Sequence, residues 1–375
     1  MAKRLQTTKW YSLNRILSYG CAYSIVFGER KNGKTYSAKE KILDTIVEGR
    51  EFMYVRRRHS MITKRKMRKL FEDMEELCMK KIGQLIRYNG QGEFYILDEN
   101  GERKTVGYCT SIEDAYIDKG IPFNKVKIVL FDEFIDYEYM KDELAMFRHT
   151  IANIVRDEEN QGVIVIMLGN TVSKYCPYFD YFGFNINKIR QGEIAVIRAN
   201  AGGTAALEYT ATKVGELDGG KKKSRYFGFD GAGSDMILHG AWEYNDCNTH
   251  DVDGVGWSSK RTRIKAYVTG LENVYELSYT KGANPVAFVR DINTQKGVVH
   301  KSIKYNFSFD NSISLITSDG RIVPKYRRLS DFIDPTIVEE INHIAKCIKC
   351  GRVVYINEQV GTEFEKAFNG IFLAS

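Results

Sequence analysis

The chain has 375 residues and a mass of 43.0 kDa, with 43% hydrophobic and 27% charged residues. That balance suits two globular domains and excludes a largely disordered chain. The net charge of +7 is a mild basic excess that fits an anionic partner. No apolar run approaches the roughly 18–20 residues that span a bilayer, and Met1 to Trp10 lacks the apolar core of a secretion signal. The expectation is a cytoplasmic protein without a membrane partner. Seven scattered Cys read as reduced thiols, not a disulfide framework.

In chain order, Ala22 to Phe27 is a short apolar run ending at a Gly-rich turn. Ala38, Ile42, Leu43, Ile46 and Val47 then fall on one helical face, with Gly49 as a stop. Phe52 to Val55 reads as a second buried strand and His59 to Lys81 as a basic helix. Gly90 to Val106 carries two hairpin turns, Asn89-Gly90 and Asn100-Gly101. Val126 to Phe131 is a third strand, and Leu144, Phe147, Ile151, Ile154 and Val155 keep helical spacing. Val163 to Leu168 is a fourth strand and Glu193 to Arg198 a fifth. Continuously apolar strands alternating with helices indicate a parallel sheet covered on both faces.

The composition shifts near residue 200. Ala199 to Gly240 is rich in Gly, Ala, Lys and Ser and reads as a linker or lid. Short strands come next at Ile264–Val268, Val286–Val289, Val298–Ile303 and Ile313–Ile316, then helices around Pro335–Ile348 and Glu358–Phe372. The expected division is 1–200, 201–240 and 241–375.

Gly28-Glu29-Arg30-Lys31-Asn32-Gly33-Lys34-Thr35 fits G-x-x-x-x-G-K-[ST] between a predicted strand and a predicted helix. Its glycines let successive N–H groups point at phosphates, and the helix N-terminus adds a favourable dipole. Lys34 is expected to reach the β- and γ-phosphates of ATP, and the Thr35 hydroxyl to bind Mg²⁺. Lys127 to Phe131 leads into Asp132 and Glu133, which places two acids at the C-terminal sheet edge, where α/β folds bind ligands. Asp132 is expected to orient the Mg²⁺ shell and Glu133 to polarise the attacking water. By analogy, a Glu directly after the Asp favours the RecA-like additional-strand ATPases. Asn170, after the fourth strand, reads either as a sensor of the γ-phosphate or as a turn residue. Arg156 reads either as a finger acting on a neighbouring subunit or as a basic residue satisfying a helix C-terminus, with Arg148 as its rival.

From Arg50 to Lys69 there are nine Lys and Arg against one acid, a larger excess than the whole chain carries. Arg56, Arg57, Arg58, Lys64, Arg65, Lys66, Arg68 and Lys69 are candidates for sequence-independent phosphate contacts, and Lys221 to Lys223 form a second group. The other reading is a solvated helix face. Cys347 and Cys350 form a lone CxxC without a second ligand pair, and Asp246, His250, Asp251 and Asp253 read as a polar loop.

Together these residues resemble the DNA-packaging ATPase family of phi29-like tailed phages. The family's first motif, G-x-R-x-x-G-K-[ST], is matched by Gly28, Arg30, Gly33, Lys34 and Thr35. Its Tyr-Val-Arg-Arg is matched by Tyr54 to Arg57, and its Val-x-Phe-Asp-Glu-Phe-Ile by Val129 to Ile135. Ile154-Val155-Arg156 matches its finger helix. Leu168 to Ser173 match its Leu-Ser-Asn-x-Val-Ser segment, and Pro177 to Phe179 its Pro-Tyr-Phe. The resemblance implies a homo-pentameric ring at the portal vertex of a procapsid, threading double-stranded DNA inward at the expense of ATP and linked to the procapsid by a packaging RNA. It implies a C-terminal domain that is ribonuclease-H-like and nuclease-inactive. Two further readings are a terminase-like enzyme with a working nuclease and a nucleotide-gated assembly factor that binds RNA or DNA.

Overall fold

A computed structural model of the chain describes residues 10–117, 123–136, 139–140, 142–155, 162–174, 176–211, 217–218, 221–222, 242, 262–268, 273–279, 286–291, 305–308, 312–316, 322–326, 334–349, 352–357 and 359–365. The chain divides into two compact units. One comprises residues 1–172 and 189–241, the other 173–188 and 242–375. Among the described residues no helix is long and apolar enough to cross a membrane.

The first unit is mixed α/β, built on a nine-stranded, mostly parallel sheet. Its strands are β1 (Tyr23–Gly28), β2 (Glu51–Arg56), β3 (Arg87–Tyr88), β4 (Glu93–Leu97), β5 (Arg103–Ser111), β6 (Val126–Asp132), β7 (Ile164–Asn170), β8 (Ile194–Arg198) and β9 (Thr204–Tyr209), in the order β3-β4-β5-β2-β6-β7-β1-β9-β8. The six from β5 to β9 in that order pair in parallel, and β3, β4 and β8 add antiparallel edges. Its helices are α1 (Asn14–Leu17), α2 (Lys34–Val47), α3 (Lys64–Arg68), α4 (Glu75–Ile82) and α5 (Glu143–Ile154).

The strands β1, β2, β6, β7 and β9 are largely apolar because both of their faces are buried, whereas the edge strands β3, β4 and β8 carry exposed and polar positions. On one face Val26, Phe52, Tyr54, Ile128, Leu130 and Ile166 pack with Ala38, Ile42, Leu43 and Ile46 of α2 and with Met67 to Met74. On the other, Phe131 stacks on Phe147 of α5 with ring centroids 5.6 Å apart. The expected helix over His59–Lys81 is instead α3 and α4 with 3₁₀ turns at His59–Met61 and Glu72–Met74. Within that stretch Phe71 meets Phe52 and Phe94 nearly edge-on, at 5.6 and 6.0 Å.

One expectation is extended and one needs correction. Gly90 to Val106 does form hairpins, but β5 continues past them to pair in parallel with β2 at Phe52↔Gly107 through Arg56↔Ser111. Thr204–Tyr209, read as the start of a linker, is instead β9, nearly fully buried and parallel to β1. Its residues Ala205, Ala206 and Leu207 supply the burial, and Gly202-Gly203 only turns the chain from β8 into it.

The second unit contains α6 (Pro177–Phe182), a seven-stranded sheet and a long amphipathic helix, α7 (Pro335–Lys349). The first unit also contains β10 (Leu217–Asp218) and β11 (Lys221–Lys222), a separate two-stranded pair. The strands of the seven-stranded sheet are β12 (Thr262–Val268), β13 (Asn273–Tyr279), β14 (Ala287–Asp291), β15 (Tyr305–Ser308), β16 (Ser312–Ile316), β17 (Ile322–Tyr326) and β18 (Val353–Tyr355), ordered β17-β16-β15-β12-β13-β14-β18. Pairing is antiparallel except β12 with β15 and β14 with β18. Tyr275 on β13 donates to the buried Glu363 (3.2 Å), which also pairs with Lys174 (3.4 Å). The expected strand at Val298–Ile303 lies outside the described residues.

Gly107 is held to glycine by close approach, since a Cβ there would stand 2.3 Å from the Phe52 ring. Phe52 is fully buried among Phe71, Phe94 and Val106. Gly107→Ala is therefore expected to destabilise the first unit by about 1–3 kcal/mol through overpacking. The checking measurement is the midpoint of urea unfolding, and an unchanged midpoint contradicts the contact.

Candidate nucleotide-hydrolysis site

The loop between β1 and α2 runs from Gly28 to Gly33. A Cβ on Gly28, whose φ is 149°, would fall 1.9 Å from Thr210 Oγ1, so only glycine fits there. Gly33 (φ 98°) caps α2. Asn32 braces the loop twice: its Nδ2 donates to Thr210 Oγ1 (3.0 Å) and its Oδ1 accepts from the Lys34 N–H (3.2 Å). The Thr210 N–H in turn donates to Phe27 O (2.9 Å). Lys34 is buried, and its Nζ donates to the carbonyls of Gly28 (3.3 Å) and Glu29 (2.5 Å). Thr35 is half-buried in the first turn of α2, and Arg30 is exposed.

β6 delivers Asp132 and Glu133 to the same sheet edge. Parallel register sets Asp132 beside Leu168 on β7, and Asn170 at the end of β7 beside Gly28. Lys34, Asn170, Asp132 and Glu133 thus come from three adjacent strand ends. Glu133 sits in the left-handed region (φ 57°), as do Lys31 and Asp142. Such conformations store about 1–3 kcal/mol each and cluster at functional sites.

Two residues of β2 hold the acids. Side chains two apart on a strand share a face, so Tyr54 and Arg56 project together. The Tyr54 hydroxyl donates to Asp132 Oδ2 (3.1 Å). Arg56 Nη1 donates to the same oxygen (3.3 Å) and to the Tyr54 hydroxyl (3.2 Å), and Nη2 pairs with the Glu133 carboxylate. Burial pushes the Asp132 carboxyl above the usual carboxylate range, while the Arg56 charge and the Tyr54 hydroxyl pull it back. Burial likewise raises the Tyr54 phenol. For Arg56, burial acts downward, but Tyr54, Asp132 and Glu133 outweigh it, and the guanidinium stays charged.

Arg57 points to the opposite face and is fully buried. Its Nε and Nη2 donate to both carboxylate oxygens of Glu143 (2.8 and 2.7 Å), its Nη1 pairs with Asp136 (2.5 Å), and it lies over the Tyr139 ring (4.8 Å). Glu143 also accepts the Met140 N–H (2.7 Å), so one guanidinium fastens the segment after Glu133 to the start of α5.

The sequence-level candidates therefore scatter. Arg56 and Arg57, read as phosphate contacts for DNA, are instead buried and spent on acids, because alternation sends them to opposite faces and both faces are covered there. Arg58 is half-buried, while Lys64 and Lys66, with Arg65 and Arg68, are exposed on α3. Arg156, Lys223, the Asp246–Asp253 cluster and Cys350 lie outside the described residues. Cys347 is buried in α7. Sequence reasoning missed Asn32, Thr210 and the Tyr54–Arg56 pair. For the last, the two-residue spacing was the available signal.

A family model described as podovirus DNA encapsidation protein (Gp16) matches residues 5–222. No curated protein matches. Among solved structures, the N-terminal domain of the DNA packaging ATPase from bacteriophage phi29 is 26% identical over 54% of this chain and 96% of that one, with a TM-score of 0.43. A chain of the bacteriophage Phi-29 viral genome packaging motor assembly is 18% identical over 97% of this chain and 100% of that one, at a TM-score of 0.51, a likeness of fold. A chain of the Phi-28 gp11 DNA packaging motor is 15% identical over 96% and 98%, at 0.46.

Removing Arg57 leaves Glu143 buried without its charge partner. Arg57→Met is expected to destabilise the first unit by about 3–5 kcal/mol, and Arg57→Met with Glu143→Leu to recover most of that. Denaturant melts of the two single variants and the double variant measure the coupling, and additive losses contradict it.

Proposed function

The chain belongs to the podovirus DNA encapsidation protein family, and from that premise we propose that it is an ATP-driven motor that moves double-stranded viral DNA into a preformed procapsid. The observation that carries this reading is the gathering of Lys34, Asn170, Asp132 and Glu133 at one edge of the parallel sheet, with β7 between the loop strand and the acid strand. That inserted strand supports a RecA-like ATPase core of the additional-strand type. The order of β12 to β15, an antiparallel trio with β15 joining parallel to β12, supports a ribonuclease-H-like second domain. The family resemblance carries the further reading that this domain is nuclease-inactive.

The residues fit a Mg²⁺–ATP substrate. The amides of residues 28–35 meet the phosphates, Lys34 neutralises their charge, and Arg30 stands exposed on the same loop. Mg²⁺ held by the Thr35 hydroxyl and Asp132 would screen the phosphate oxygens. Tyr54 and Arg56 keep Asp132 oriented. Glu133 acts as general base on water, which requires its carboxylate to exchange Arg56 for that water. Asn170, beside Gly28, reports the state of the phosphates. Arg156 follows α5 and acts in trans on a neighbouring subunit of a homo-pentameric ring.

Within that ring, seated at the portal vertex in the host cytoplasm and joined to the procapsid by packaging RNA, the exposed Lys64 and Lys66, with Arg58, serve the DNA backbone without reading sequence. Arg56 and Arg57 are given to the acids instead.

Lys34→Ala is expected to abolish ATP turnover and packaging while sparing DNA binding. Glu133→Gln is expected to bind ATP and lose turnover by about 10²-fold or more. Mixing Arg156→Ala subunits with Glu133→Gln subunits should restore partial turnover through shared sites. Steady-state ATPase and procapsid filling assays decide, and a Lys34→Ala protein that still packages DNA ends the motor reading.

A further inference from the structure

Beyond the phosphate contacts, the loop carries an exposed aromatic flank. Trp10 is 56% exposed and Tyr36, in the first turn of α2, is 45% exposed. The backbone next to Trp10 is pinned in place. The Tyr11 N–H donates to Asn32 O (3.0 Å), and the Leu13 N–H donates to Ser37 Oγ (3.0 Å). A Cβ on Gly33 would stand 3.5 Å from both Cβ and Cε3 of Trp10, so this side chain lies against the loop itself.

The same segment is tied to one side of β1. The Tyr11 hydroxyl donates to Glu208 on β9 (2.8 Å), and Arg15 Nη1 donates to Gly192 O (3.0 Å), just ahead of β8. Asn170, Asp132 and Glu133 lie on the other side of β1, on or just past β7 and β6. A triphosphate gripped by the loop with its reacting end toward the acids therefore leads its ribose and base toward the β9 side.

We propose that Trp10 is a stacking platform for the base of the bound nucleotide, with Tyr36 as a second exposed ring, so that residues 10–13 belong to the nucleotide site. The proposal rests on the hydrolysis reading above. An aromatic face selects by stacking area, and it favours the larger purine bases over pyrimidines. Base–aromatic stacking is worth roughly tenfold or more in affinity per base.

The test compares ATP, CTP and inorganic tripolyphosphate, each titrated by calorimetry into the full chain, into Trp10→Ala and into Trp10→Tyr. Trp10→Ala is expected to weaken ATP by about tenfold, to erase its advantage over CTP, and to leave tripolyphosphate within about twofold. Trp10→Tyr should retain most of the ATP affinity. Equal weakening of ATP and tripolyphosphate means that Trp10 only supports the loop, and no weakening of either means that it touches nothing; both overturn the platform. If the unaltered protein binds neither ligand, the hydrolysis reading falls first and takes the platform with it.

Discussion

Parallel pairing of β6, β7 and β1 is the constraint on which the candidate site depends. Each strand is buried on both faces and has little polar chemistry within its length. What it can offer lies at its carboxyl end, and parallel register brings three such ends to one edge. Gly28 meets Asn170 directly, and Asp132 lies one strand further on. A slip of one residue between β6 and β7 would turn Leu130 and Phe131 to the wrong faces, so the same apolar packing that stabilises the sheet also sets the spacing of loop and acids.

The adjacent arginines at the end of β2 show how far one strand's alternation reaches. Arg56 turns to the face that meets Asp132 and Glu133, and Arg57 turns to the face that meets α5. Positive charge is thus placed on both sides of the strand that bears the acids. It holds the catalytic candidate Glu133 on one side and anchors the segment after it on the other. Arg56 is imperfectly satisfied, since its Nε has no hydrogen-bond partner among the described residues.

β9 and the segment around Tyr11 complete the loop from its other side. Thr210 fills the space that a side chain on Gly28 would need, and Asn32 bridges that hydroxyl to the start of α2. Behind it Glu208 is buried. Burial pushes its carboxyl upward, against the pull of the Tyr11 hydroxyl and Arg15. Residues remote in sequence thereby stiffen a loop whose own composition is mostly polar and small.

Much of this was legible in sequence. The apolar runs at Ala22–Phe27, Val126–Phe131 and Val163–Leu168 located three core strands, because burial on both faces leaves few polar positions, here only Ser24 and Lys127, to confuse the period. The spacing of Gly28, Gly33, Lys34 and Thr35, and the Asp132-Glu133 pair closing a strand, marked the loop and the strand end that the fold brings to one edge, because local backbone form suffices to specify both. Three features were decided only by tertiary structure. β9 looked like linker, since small residues beside Gly202-Gly203 acquire strand character only against β1. The basic run from Arg56 looked uniform, yet its first two members were claimed by Asp132, Glu133, Asp136 and Glu143, three of them more than seventy residues away and Glu143 farther still. Residues 10–13 match no motif, and it is the fold that lays them along the loop. A sequence states which groups are available; which of them meet is settled by non-local packing.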